Sequence, residues 1–180
     1  MKSILYGSKV NLCHLDSSNL DEYLTIYKRS SVFASAYETM PDLWRTQERA
    51  VKSHMDEERY LIVEKVSEIP CGIVEFHYIF EITPEINIMI TPEYRRNGYG
   101  YEASKILCNK ILSDDIVEYI MWNTFASNNA SCRIAEKLGG VKVDSDNFNF
   151  AVAELAQYID DCQDIMDTVT YEITNSNVEV

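Results

Sequence analysis

Residues 86–104 constrain this chain more than any other stretch. Ile86, Ile88 and Ile90 alternate with Asn87 and Met89 and read as a β-strand. The strand stops at Thr91-Pro92, turns through Arg95-Arg96-Asn97-Gly98-Tyr99-Gly100 and continues directly as a helix. A helix N-terminus is therefore aimed at the end of a strand. Its first backbone N–H groups have no intrahelical partner, and the macrodipole adds about half a positive charge there, so backbone alone can bind a pyrophosphate. Gly98 and Gly100 carry no side chain to block that approach. Arg95 and Arg96 add charge-assisted donors, although one of them can equally pair with Glu93 or solvent. A glycine turn that only joins a strand to a helix has the same local sequence, so the surrounding pattern must decide between the two.

That pattern excludes the other common phosphate loops. No G-x-x-x-x-G-K-[ST] occurs, G-x-G-x-x-G would require a glycine at Ala103, and the early parallel sheet of a dinucleotide-binding domain is missing. Before the turn, Val10 to His14 reads as a strand. Asp16-Ser17-Ser18 offers N-caps to a helix with Leu20, Tyr23, Leu24 and Tyr27 on one face. Residues 31–45, with Phe33, Tyr37, Trp44 and Pro41, read as a loop or broken helix, followed by a short helix from Gln47 to about Asp56. Tyr60 to Val66, Gly72 to Phe80 and Glu85 to Thr91 form an expected antiparallel meander with turns at Pro70 and Pro84. After the turn come a helix from Gly98 to about Ser113, a strand from Val117 to Asn123, and a helix from Asn128 to Leu138. That last helix carries Ala130, Ile134 and Leu138 on one side and ends at Gly139-Gly140. Strands at Val141 to Asp144 and Asp167 to Thr174 follow, with an added helix near residues 148–163 between them. This order predicts an α+β (mixed α/β) fold: a mostly antiparallel sheet of about six to seven strands, helices packed on it, and one strand-helix-strand crossover over residues 86–123.

Composition narrows the function classes. A length of 180 residues suits one domain, and 46% hydrophobic with 25% charged residues is an ordinary globular balance. The formal charge of −13 disfavours nucleic-acid binding, which needs clustered Lys and Arg, and leaves open a cationic partner or a merely solubilising role. No apolar run approaches the roughly 18 residues that span a bilayer, and no signal-peptide core is evident, so a cytoplasmic location with no membrane partner is expected. Cys13, Cys71, Cys108, Cys132 and Cys162 are widely spaced, and His14, His54 and His77 stand apart, so neither a disulfide framework nor a metal site is expected.

With these features in place, the sequence resembles the GNAT superfamily of acetyltransferases. Its signature [RQ]-x-x-G-x-[GA] matches as Arg95-Arg96-Asn97-Gly98-Tyr99-Gly100. A second, independent match is Asn128-Asn129-Ala130-Ser131 with Glu136-Lys137-Leu138-Gly139, similar to the N-x-x-S...E-K-L-G element of the ribosomal-protein N-acetyltransferase-like branch. Leu5 to Leu12 is similar to that branch's first strand, and the likeness spans about residues 4–143. The resemblance implies splayed fourth and fifth strands, here residues 86–91 and 117–123, and acetyl-CoA as co-substrate. It implies that the backbone of Ile88, Met89 and Ile90 binds pantetheine and polarises the thioester. Arg95, Arg96, Asn97, Gly98, Tyr99 and Gly100 would hold the pyrophosphate, with Asn128 and Ser131 near the pantetheine and sulfur.

Acetyl transfer needs a neutral amine, a donor for the oxyanion and a hydrogen bond for the leaving thiolate. Direct attack in a ternary complex is expected, with Ser131 serving the sulfur or, alternatively, bonding only its own helix. Asn128 is either a cofactor contact or only an N-cap. The family's frequent helix tyrosine is missing between Ser127 and Leu138. Glu75 and Glu85 are candidate bases, with solvated carboxylates or a water relay as alternatives, and Cys132 reads as a packed thiol. The expected acceptor is a primary amine on a small molecule or a protein N-terminus. A noncatalytic acyl-CoA-binding protein and a homodimer with a tyrosine-rich interface are the competing expectations.

Overall fold

The opening segment turns back on itself where Gly7 N–H donates to the Val10 carbonyl (2.9 Å). Two strands result, β1 (Leu5–Tyr6) and β2 (Val10–His14), paired antiparallel with Leu5 opposite Leu12. This computed structural model describes residues 5–31, 34–79, 83–114, 116–144 and 167–175. Phe33, Cys162 and the expected helix near residues 148–163 lie outside them.

Helix α1 (Leu20–Ser30) follows the predicted stripe: Tyr23, Leu24, Ile26 and Tyr27 are buried, with Asp21 and Glu22 in its first turn and Lys28 and Arg29 in its last, as the macrodipole favours. Its N-cap is Asn19 rather than Asp16 to Ser18, and it makes no side-chain capping bond. Asp16 instead closes a local turn, accepting from Ser18 N–H (2.7 Å). Helices α2 (Ala34–Thr39) and α3 (Pro41–Ser53) resolve the ambiguous region. The break falls at Met40, and Pro41 opens α3 from its first position, where a missing N–H costs nothing. The expected start at Gln47 was therefore too late.

Strands β3 (Arg59–Glu64), β4 (Pro70–Ile79) and β5 (Thr83–Ile90) form the meander, and Pro70 and Pro84 lie at strand beginnings rather than in the turns. A 3-10 turn (Pro92–Tyr94) leads to α4 (Tyr99–Leu112), then β6 (Tyr119–Phe125), α5 (Asn129–Lys137), β7 (Val141–Val143) and β8 (Thr168–Thr174). The sheet is mixed and mostly antiparallel, as expected. Among the described residues it has eight strands rather than six or seven, the surplus including the short strand made by the Gly7 turn.

Packing divides the chain into two compact units, Met1–His77 with Asn87–Leu107, and Tyr78–Ile86 with Cys108–Val180. Strand order through the first is β1-β2-β3-β4-β5. Its core gathers Tyr23, Leu24 and Tyr27 of α1 with Leu61 and Ile73 of the sheet and Val51 of α3. In the second the order is β5-β6-β8-β7. There β5 meets β6 in parallel at Glu85↔Met121, the arrangement a helical crossover demands, while β6 pairs antiparallel with β8 from Tyr119↔Thr174 to Phe125↔Thr168. Ile120, Trp122, Leu138, Tyr171 and Ile173 are buried there.

The buried side of α5 keeps Leu138 and the half-buried Ile134 of the expected stripe but not Ala130, which is exposed; Ala135 is buried and Ser131 half-buried beside them. Gly139 takes φ +80°, the left-handed conformation expected after a helix end.

Candidate active site

In the first unit, the segment joining β5 to α4 carries the turn Arg95 to Gly100. Thr91 anchors it, its N–H and hydroxyl both donating to the Cys71 carbonyl (3.0 and 3.1 Å). Beyond the 3-10 turn, Arg96 takes φ +66° and Gly98 φ +82°, two left-handed residues that reverse the chain into α4. The first helical bond at this end runs from Glu102 N–H to the Gly98 carbonyl (3.1 Å), so the Tyr99 and Gly100 amides precede the intrahelical ladder. Arg95 Nε donates to the Ile90 carbonyl (3.0 Å), which fixes its planar fork beside the strand end. Arg95, Arg96, Asn97 and Gly98 are all exposed, and Asn97 Nδ2 closes the turn on the Tyr94 carbonyl (3.2 Å).

The acids nearest this turn are engaged elsewhere. Glu93 pairs with Arg29 (2.9 Å), and its carboxyl is held below the usual range by its own backbone amide and by that arginine. Glu102 accepts from the amides of Ser8 and Lys9. Lys9 Nζ in turn donates to the Asn97 carbonyl (3.2 Å). The turn therefore presents cations and amides in a chain whose net charge is −13.

Strand β5 changes character along its length. Thr83 to Ile86 are buried, whereas Asn87, Ile88, Met89 and Ile90 are half-buried. Asn87 Nδ2 donates to Glu75 Oε1 (3.0 Å), while Glu75 Oε2 accepts from Tyr23 Oη (2.7 Å) and from Arg59. Glu75 is thus a buried, fully bonded carboxylate rather than a solvated one. Burial raises the Tyr23 hydroxyl well above its ordinary value and the Glu75 charge adds to the effect. Burial alone would lower the Arg59 guanidinium, but the Glu75 charge, the Tyr23 phenol and the Glu57 bond together outweigh it and hold the group cationic.

In the second unit, Glu85 Oε1 accepts from Asn123 Nδ2 (2.8 Å), and Asn123 Oδ1 accepts from the Thr170 hydroxyl (2.7 Å). A polar line thus crosses β5, β6 and β8. Asn128 caps α5, its Oδ1 accepting from Ser131 N–H (3.2 Å). Ser131 Oγ accepts from the Trp122 indole N–H (2.9 Å). Because the indole can only donate, this bond leaves the serine's own O–H for another acceptor.

Sequence reading placed the turn and the Asn128–Ser131 pair, but it missed their partners. Trp122 meets Ser131, Lys9 meets the turn, and Tyr23 and Arg59 meet Glu75, each only through tertiary pairing. Asn87 alone had a visible signal, as the one amide among the isoleucines of its strand. Among the described residues no cluster of His, Cys, Asp and Glu could hold a metal ion, and no helix is long and apolar enough to cross a membrane.

Residues 9–141 match the family model of the acetyltransferase (GNAT) domain. No curated protein sequence matches the chain. Among solved structures, a putative GNAT-family acetyltransferase from Bordetella pertussis is similar at 16% identity and TM-score 0.68, covering 96% of this chain and 100% of its own. A ribosomal-protein-S5-alanine acetyltransferase from Vibrio fischeri is similar at 14% identity and TM-score 0.63, covering 100% of both chains. A spermidine N-acetyltransferase from Vibrio cholerae, solved with CoA and spermine, is similar at 17% identity and TM-score 0.61, covering 77% of this chain and 84% of its own. At these identities the structural likeness speaks for the fold.

Proposed function

Since this chain belongs to the GNAT acetyltransferase family, we propose that it transfers the acetyl group of acetyl-CoA to a primary amine by direct attack, with no acyl-enzyme intermediate. The observation that carries this reading is the turn before α4: two left-handed residues, two exposed arginines and the leading amides of a helix, with the neighbouring acids engaged elsewhere. That set suits a diphosphate in geometry and charge.

Each remaining candidate receives a role. The backbone of Ile88, Met89 and Ile90 binds the pantetheine amides and supplies an N–H to the developing oxyanion. Arg95, Arg96, Asn97, Gly98, Tyr99 and Gly100 hold the diphosphate. Asn128 orients the first turn of α5. As the amine nitrogen bonds to the thioester carbon, the carbon–sulfur bond breaks and the thiolate departs. Ser131 donates its O–H to that sulfur, a role supported by the Trp122 bond, which uses the oxygen as acceptor and leaves the O–H unspent. The attacking amine must lose a proton. Glu75 and Glu85 are the carboxylates assigned to collect it, and since both already accept side-chain bonds, a water molecule carries the proton to them. The acceptor is a primary amine on a small molecule or a protein N-terminus.

The test joins calorimetry with acetyl-CoA to a thiol-release assay over a panel of amines, using native protein and Ser131→Ala. Binding with amine-dependent release is expected, and Ser131→Ala should bind the cofactor normally while turning over about tenfold more slowly. Binding without any release would favour a noncatalytic acyl-CoA-binding role, and unchanged turnover would remove Ser131 from the mechanism.

A further inference from the structure

We infer that Lys9 is an additional ligand for the phosphate oxygens of the cofactor, delivered to the turn before α4 by the hairpin of β1 and β2; this rests on reading that turn as the coenzyme's phosphate site. A carboxylate at this helix end sets up a conflict. Glu102 lies in the first turn of α4, where a bare carboxylate would oppose a bound phosphate. The hairpin removes the conflict: Glu102 Oε1 accepts from Ser8 N–H and from Lys9 N–H (2.9 Å), and Oε2 lies 3.2 Å from the same Lys9 amide.

Gly7 makes this contact possible, because a Cβ there would lie 2.4 Å from Glu102 Oε1 and 2.5 Å from the Val10 carbonyl oxygen. The clasp fixes the backbone of Lys9 beside α4 and sends its side chain along the turn. Nζ donates to the Asn97 carbonyl (3.2 Å) and lies 3.3 Å from where a Cβ on Gly98 would be.

An ammonium has three donors, and Lys9 spends one on a neutral carbonyl. The side chain forms no ion pair among the described residues, in a sequence with 29 acids. The structure places its charge against the turn instead, on the Asn97 carbonyl. Lys9, Arg95 and Arg96 then make three cations around the leading amides of α4. Two phosphate groups share this chemistry, the diphosphate of the coenzyme and the phosphate on its ribose.

The experiment is calorimetric titration of the full chain with CoA and with dephospho-CoA, for native protein, Lys9→Met, Lys9→Arg and Lys65→Met. Lys65 is the control, since its Nζ binds the Gly7 carbonyl (2.9 Å) of the same hairpin and not the turn. Lys9→Met should weaken CoA binding by about tenfold, an effect that shrinks as salt is added. Lys9→Arg should recover most of the loss, which the removal of a purely structural bond would not require. A loss kept with dephospho-CoA assigns Lys9 to the diphosphate, and a loss abolished with it assigns Lys9 to the ribose phosphate. Should Lys9→Met fold poorly, Lys9→Gln, which keeps a donor but no charge, carries the same expected loss. CoA affinity within about twofold of native for both uncharged variants, or an equal loss in Lys65→Met, would overturn the inference. Native protein that ignores CoA altogether would instead overturn the reading of the turn, and the inference with it.

Discussion

Replacing Arg96 by glycine should move stability and cofactor affinity in opposite directions. Arg96 holds φ +66°, where an L side chain costs roughly 1–2 kcal/mol. It is exposed and makes no hydrogen bond or ion pair among the described residues that would offset that cost. Glycine removes the clash but gains freedom in the unfolded chain, which returns roughly 0.5–1 kcal/mol. The net expectation is a gain of about 0.5–1 kcal/mol, on the order of 2 °C in Tm for a chain of this size. The same change deletes a cation from the phosphate turn. A charge-assisted bond at an exposed site contributes roughly 1 kcal/mol, so the Kd for acetyl-CoA should rise about fivefold. Thermal unfolding without ligand reads the first effect and calorimetric titration the second. Arg96→Lys, keeping both charge and backbone strain, should stay close to native in each. A drop in Tm for Arg96→Gly would refute the strain, and an unchanged Kd would refute a phosphate contact.

Glu75→Ala should cost about 3 kcal/mol in urea unfolding, the lower end for breaking a buried ion pair. Arg59 keeps Glu57 Oε2 (3.0 Å) and the His54 carbonyl (3.1 Å), while Tyr23 and Asn87 lose an acceptor. Adding Arg59→Met to that variant should recover part of the loss, and a Glu75→Ala protein as stable as native would refute the assigned pairing. Tyr23 and Tyr27 give an alkaline limit, since burial first, then the Glu75 charge, raises both well above 10.0. A raised value favours the protonated phenol in the folded state, so their contribution is fully present below pH 10 and fades as pH climbs from there through the folded values. Ultraviolet titration of phenolate should show a delayed fraction of the 12 tyrosines that ionises only as the fold is lost. Ionisation of all of them near pH 10 with the fold intact would refute it.

What was legible in the sequence was local. The turn at Arg95 to Gly100 showed because a left-handed reversal before a helix requires glycine at Gly98, and the adjacent strand showed by its alternation. Pro41 misled because the same residue that ends one helix can open the next, and only the packing of Tyr37 against Trp44 (5.3 Å between rings) reveals α2 and α3 as neighbours. On α5 the stripe through Ile134 and Leu138 was legible but Ala130 was misplaced on it, because Ala130 and Ala135 are equally apolar. Contact with Trp122 decides which side turns inward, and it is that side which carries Ser131. The surroundings of Glu75 were out of reach for a different reason. Its partners come from α1, β3 and β5, joined by strand register rather than by spacing, so a carboxylate that alternation places on a solvated face is in fact buried. Net charge was the least informative feature of all. A total of −13 is felt over a surface, but beyond about 8–10 Å salt screens it. At the turn itself Glu93 is held by Arg29, Glu102 by the hairpin amides, and Lys9 Nζ lies on the Asn97 carbonyl beside the exposed Arg95 and Arg96. An acidic protein can therefore carry a site for a polyanion, because the site is defined by which charges are paired nearby and not by their sum.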